Sequence, residues 1–151
     1  MDIARFIHVL GSVVWVGGMF FAYVALRPVA ATLLQPPERL QLWEGTFRSF
    51  FMWVWVSVTG ILASGLWMIV LMGGFAGAPV HVHIMIATGV VMMAIFLHIY
   101  FAPYGRLRRF VAVQDWKAAG AALGQIRKLV GINLALGLIT VAMGTAGRLL
   151  G

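Results

Sequence analysis

The side chains of this sequence that can do chemistry are four histidines, His8, His81, His83 and His98, and nine methionines, in a chain of 151 residues with no cysteine. Imidazole is the commonest metal ligand in proteins. Thioether sulphur joins imidazole in sites for Cu(I) and can also serve as an axial ligand to haem iron. Without cysteine, thiolate sites and disulfides are excluded. The only acidic residues are Asp2, Glu38, Glu44 and Asp115. None falls inside an apolar run, which removes carboxylate proton relays and most hydrolase chemistry. No glycine-rich phosphate loop is present. Metal or haem chemistry is what these residue types leave.

The elements that must position them are membrane helices. The chain is 62% hydrophobic and 10% charged, with a mean hydropathy of +0.98, where a soluble domain carries about 25% charged residues. No charged side chain occurs from Phe6 to Leu26, between Arg48 and Arg106, or from Leu129 to Gly147. The middle run is broken by Gly73-Gly74-Phe75-Ala76-Gly77-Ala78-Pro79, a turn signal. A crossing takes about 20 apolar residues. The pattern predicts an all-α integral membrane four-helix bundle, one transmembrane domain over residues 1–151, with helices at about 3–26, 50–72, 80–101 and 129–147. A cleaved signal peptide is the alternative for the first run. Against it, Asp2 beside a single Arg5 makes a poor positive region, and the apolar run exceeds the usual length.

The formal charge of +7 is placed for a membrane rather than for nucleic acid. Arg27, Arg39 and Arg48 lie between helices one and two, and Arg106, Arg108, Arg109, Lys117, Arg127 and Lys128 between helices three and four. The other side holds only Arg5 and Arg148. By the positive-inside rule the basic loops face the cytoplasm and both termini lie on the non-cytoplasmic side. The expected setting is a bacterial-type inner (cytoplasmic) membrane, multi-pass, with anionic lipid headgroups against the basic loops. Both loops read as partly helical. Pro36-Pro37-Glu38 opens a helix that runs on into helix two, and Asp115 is an N-cap for a segment leading into helix four. Trp43 and Trp116 are expected at the headgroup level. Pro79 suits the start of helix three, and Pro103 follows its end.

This topology gathers His8, His81 and His83 into one layer at the outer end of the bundle. A pair of imidazoles from two facing helices is the arrangement of a bis-histidine haem. His8, Gly11, Trp15 and Gly18 share a helix face, and the two glycines would open a slot for a flat macrocycle. Arg5 and Arg148, at the same end, could pair with haem propionates. Close helix–helix packing is the other reading of such glycines, and it also fits Gly124, Gly131, Gly137 and Gly144. His81 and His83 point about 160° apart on a helix, so one ligates and the other does not; His83 is favoured. His98 lies about 22 Å further along the helix from His83, with no partner at its depth, and reads as an interfacial histidine. A copper site is the alternative use of the outer layer, drawing on His81, Met68, Met72, Met85 and Met143. Methionine is also a flexible core filler. Ser57, Thr59, Ser64, Asn133 and Thr140 read as packing residues.

The stretch Phe6-Ile7-His8-Val9-Leu10-Gly11-Ser12-Val13-Val14-Trp15-Val16-Gly17-Gly18 resembles the first helix of the copper-resistance protein D (CopD) family and of the related HemJ-type protoporphyrinogen oxidases. The shared pattern is histidine, six residues, tryptophan, one residue, glycine. His81-Val82-His83 and Gly105-Arg106-Leu107 are similar to the ends of the third helix of the oxidases, where His-x-Lys stands at the start. The resemblance implies a four-helix bundle with His8 as a haem b ligand. His83 stands where the oxidases have lysine, and Tyr23-Val24-Ala25-Leu26-Arg27-Pro28 replaces their Tyr-Leu-Pro-Arg run, closer to the CopD pattern.

Taken together, these readings predict a haem b-binding membrane protein of cytochrome b type. It would be ligated by His8 and His83 and would carry electrons at the outer face of the membrane. A copper transport or resistance component of the CopD type is the alternative, and a HemJ-like protoporphyrinogen oxidase a lesser one. A redox partner, a quinone or a second copy of the chain are the further partners such a protein would meet.

Overall fold

The computed structural model describes residues 1–146, and every regular element among them is a helix. Helix α1 (Asp2–Phe20) continues through a π-helical turn (Phe21–Leu26) into α2 (Arg27–Leu33). Then follow α3 (Pro36–Leu71), a 3-10 turn (Phe75–Gly77), α4 (Val80–Phe101), α5 (Pro103–Ala112) and α6 (Trp116–Ala146). Four helical segments are long and apolar enough to cross a membrane: Asp2–Leu33, Pro36–Leu71, Val80–Ala112 and Trp116–Ala146. The expected number of spans is therefore found, but the basic segments between them are helical extensions rather than loops.

Local chemistry accounts for the boundaries. At the start of α3, the Gln35 amide donates to Glu38 Oε2 at 3.1 Å in a capping box, and proline occupies the first turn, where its missing N–H costs nothing. At the start of α6, Asp115 Oδ1 accepts the Ala118 amide at 3.0 Å, the expected N-cap. The turn after α3 uses Gly73 (φ 88°) and Gly74 (φ 85°) in the left-handed region, where a Cβ is penalised. The π-helical turn has its cause in Pro28, which lacks an N–H and whose ring crowds the carbonyl four residues back. The Arg27 amide bonds the Ala22 carbonyl instead, five residues back, and the helix absorbs the proline without breaking.

The bundle is built as two pairs, α1 on α3 and α4 on α6, with α6 reaching both α1 and α3, and α5 folded onto α6. Close approach in the first pair happens at glycine. A Cβ on Gly11 would come within 3.0 Å of Ile61 and 3.2 Å of the Ser57 carbonyl, and the Phe50 ring occupies the place of a Cβ on Gly18. The core is aromatic. Phe47 and Phe51 stack at 5.1 Å, Tyr104 meets Phe51 edge-on at 5.0 Å, and Phe96 meets Trp55 at 5.3 Å and Trp15 at 6.2 Å. Trp43 belongs to this core, 6% exposed and tilted against Phe47. Its helix starts early enough to carry it into the bundle. Outward-facing apolar residues such as Val13, Val70 and Val90 are exposed, as lipid-facing positions are.

The two adjacent glycines of α1 give a matched test. Gly18→Ala has to push the Phe50 ring aside and is expected to cost about 1–3 kcal/mol. Gly17→Ala meets nothing within 4 Å and should be neutral or gain up to about 1 kcal/mol from helix propensity. Thermal unfolding of both variants in one detergent checks the difference.

Candidate functional site

His8 sits half-buried on α1 and faces α3, with Nδ1 3.2 Å from Ser64 Oγ and its ring edge against Gly65. Ser64 donates its own proton to the Gly60 carbonyl at 2.6 Å. Its oxygen is then free to accept a hydrogen from the His8 ring, and such an orienting bond on one nitrogen is how a ligating histidine is held.

His81 and His83, the partners expected for it, stand in the first turn of α4. His83 is exposed, and its Nδ1 lies 3.1 Å from the Pro79 carbonyl of its own first turn. His81 is half-buried on the same helix. The main packing of α1 is on α3 and that of α4 on α6, and α1 meets α4 where Trp15 lies against Phe96. Ile61 and Phe50 fill the space over Gly11 and Gly18, and Trp15 is buried edge-on against Phe96. This set does not fit a flat macrocycle, because protein side chains pack where the ring would slide in. Arg5 pairs with Asp2 at 3.9 Å in an exposed contact, and Arg148 lies outside the described residues. Among the described residues, no three histidine, aspartate or glutamate side chains come together as a metal site.

Sulphur is better placed. Asn133, Gly137, Thr140 and Gly144 share one face of α6, at positions i, i+4, i+7 and i+11. Met19 Sδ accepts from Asn133 Nδ2 at 3.8 Å. Met92 Sδ lies 3.9 Å from Thr140 Oγ1, and its methyl is 3.1 Å from a Cβ placed on Gly137. Met85 lies over Gly144, with its methyl 3.0 Å and its sulphur 3.6 Å from a Cβ placed there. Three thioethers thus follow about 16 Å of a single helix face. Thr88, between Met85 and Met92, is bonded by Thr140 at 2.7 Å and fixes the register of α4 on α6. At the inner end of the row, Asn133 is 1% exposed, and its Oδ1 has no hydrogen-bond partner. A void of about 20 Å3 adjoins it, room for one water.

Of the copper set expected from sequence, Met85 belongs to this row; Met68, Met72 and Met143 are half-buried, on α3 and α6. Met19 and Met92 were not foreseen, because the search by depth considered only one end of the bundle. The available signal was the spacing Met85, Thr88, Met92 opposite Gly137, Thr140, Gly144, two matching helical stripes. Ser64, Thr59 and Thr140 do bond backbone carbonyls one turn back, as packing residues in membrane helices do. Asn133, expected as packing, instead holds an unpartnered oxygen.

A second polar cluster lies at the other end. Glu44 is nearly buried and accepts Arg48 at 2.8 and 2.9 Å, with Arg108 of α5 at 4.0 Å. Arg108 lies 5.7 Å from the Tyr104 ring, so the carboxylate ties α3 to α5. Sequence reading placed Glu44 outside the apolar span, on the helix opening at Pro36, where its i, i+4 spacing to Arg48 was visible.

A family model described as Copper resistance protein D matches residues 44–146, more than half of the chain. That match takes in Met85, Met92 and the α6 face but begins after the His8 motif. No curated protein and no solved structure matches the chain.

Asn133→Leu removes a buried amide whose oxygen has no partner. It should leave stability unchanged or raise it by about 1 kcal/mol. A loss of stability in a detergent melt would show instead that the amide oxygen is satisfied in the membrane.

Proposed function

Since this chain is a multi-pass membrane protein belonging to the copper resistance protein D family, we propose that it handles copper as its cargo and passes Cu(I) along the methionine row on α6. The observation that carries this reading is the line of three thioethers, Met85, Met92 and Met19, against one helix face. Cu(I) is a soft cation that prefers sulphur and imidazole. A row of neutral thioethers accepts it without releasing a proton and without placing fixed charge in lipid. No single sulphur holds the ion strongly, so it can exchange from one to the next, as conduction through multi-site pathways requires. His81, one turn before Met85 on α4, stands at the mouth of the row, and the unpartnered Asn133 oxygen at its inner end offers a carbonyl-type ligand. The imbalance of basic residues turns the mouth away from the cytoplasm, in a bacterial-type inner membrane.

The competing reading takes His8 and His83 as ligands of haem b, with electron transfer to a quinone or redox partner. It draws on the orienting bond from His8 to Ser64 and is separated from the copper reading by one spectrum. Detergent-purified protein, oxidised and then reduced with dithionite, should show no Soret band. A Soret band that disappears in His8→Ala would replace the copper reading with the haem one.

The direct test is competition for Cu(I) against a chromophoric chelator. The Met85→Leu/Met92→Leu double variant conserves volume and should fold normally. It is expected to weaken Cu(I) binding by about tenfold or more, equivalent to about 1.4 kcal/mol. Met52→Leu, at a residue 67% exposed, should change nothing. Equal affinity in the double variant and the wild type would remove the row from the mechanism.

A further inference from the structure

At the end of the bundle that carries the basic residues, a cavity of about 580 Å3 opens between the π-helical turn, α2, the start of α3 and the first half of α6. Three arginines line it, one from each helix: Arg27, Arg39 and Arg127. The ion pairs found among the described residues belong to Arg5, Arg48 and Arg108, so Arg27, Arg39 and Arg127 have no carboxylate of a described residue within 4.0 Å. No acidic residue and no histidine lines the cavity. Its electrostatics therefore exclude a metal cation and call for an anion.

The arginines are partly fixed in place. Arg27 is stacked 4.8 Å over the Tyr23 ring, an arrangement set up by the π-helical turn that carries Tyr23. Arg39 Nη1 reaches the Ala31 carbonyl at 3.5 Å, which leaves most of its donors uncommitted. Converging guanidinium groups bind phosphate with several charge-assisted hydrogen bonds. The remaining wall is apolar and aromatic, with Trp43 and Trp116 among its residues. A side chain added at Gly124, on the same wall, would meet nothing within 4 Å. A small inorganic anion has no use for that apolar wall, whereas a phosphate that brings its own hydrocarbon fits both halves. The basic ends of membrane helices also lie where anionic headgroups concentrate.

We propose that this cavity is a binding site for the phosphate headgroup of an anionic phospholipid. Arg27, Arg39 and Arg127 meet the phosphate, and the aromatic wall receives the start of the acyl chains. The site is separate from the methionine row, and it stands whether or not the copper reading does.

Native mass spectrometry of the full chain, released from micelles containing equal amounts of phosphatidylglycerol and phosphatidylcholine, tests it. Wild-type protein should retain phosphatidylglycerol selectively. Arg27→Gln/Arg127→Gln should cut that retention about tenfold, as loss of charge-assisted contacts would. Gly124→Leu, which removes no charge and fills open space, should do the same and covers the case in which the double variant fails to fold. Arg109→Gln, whose guanidinium lies against Phe110, should retain the lipid as wild type does. Equal retention of the two lipids would overturn the proposal, as would a loss in Arg109→Gln matching that of the double variant. Displacement of phosphatidylglycerol by inorganic phosphate at similar concentration would assign the cavity to a free anion and would also overturn it.

Discussion

Helices in lipid gain little by hiding apolar side chains from their surroundings, because those surroundings are themselves apolar. What joins them is close contact, and close contact requires small residues where two backbones meet. In this protein that constraint falls most heavily on α6, the helix that touches both α1 and α4. Its face from Asn133 to Gly144 is built of glycine, threonine and one asparagine, and each gap left by a missing side chain is filled by a neighbour. Val16 and Met92 fill the space at Gly137, Met85 that at Gly144, and Tyr23 that at Gly131. The same constraint that closes the bundle thus seats two methionines, Met85 and Met92, against α6, and Asn133 holds the third, Met19.

The two ends of the bundle differ in kind. Near the basic end, rings from α3, α4 and α5 interlock around Phe51, and Glu44 secures α3 to α5 through its arginines. Three further arginines there, Arg27, Arg39 and Arg127, line the cavity. Toward the Gly73–Pro79 turn, the packing polar groups are hydroxyls bonded to their own helix, and the soft ligands are methionine and histidine. At that end the acidic side chain among the described residues is Asp2, exposed and facing Arg5, and the chain has no cysteine, so the donors inside the bundle are soft and neutral, which suits a monovalent soft cation better than a hard divalent one.

Much of this was legible in the sequence. Uninterrupted apolar runs gave four spans, because length and hydropathy alone decide whether a helix can cross. Capping chemistry located the start of α3 at Pro36 and of α6 just after Asp115. The site was less legible, for a physical reason. A glycine announces that something comes close but does not say what. Gly11 and Gly18 were compatible with a cofactor slot and proved to receive Ile61 and Phe50. Depth along a helix can be counted from sequence, but facing cannot, and the contact of His8 with Ser64 of α3 was not visible there. Trp43 was placed at the headgroup level by its position before the apolar run, and its burial against Phe47 comes from tertiary packing. Met19 lies on the first helix, far in sequence from Asn133, and only tertiary structure joins them.

The central claim is that copper travels along α6 on thioether sulphur, and the methyl groups of those methionines report on it directly. In protein labelled with 13C at the methionine methyls, Cu(I) should shift the resonances of Met85, Met92 and Met19 together and saturably, and leave that of exposed Met52 in place. Shifts confined to exposed methionines, or none at all while the protein still binds Cu(I), would place the ion elsewhere and contradict the account.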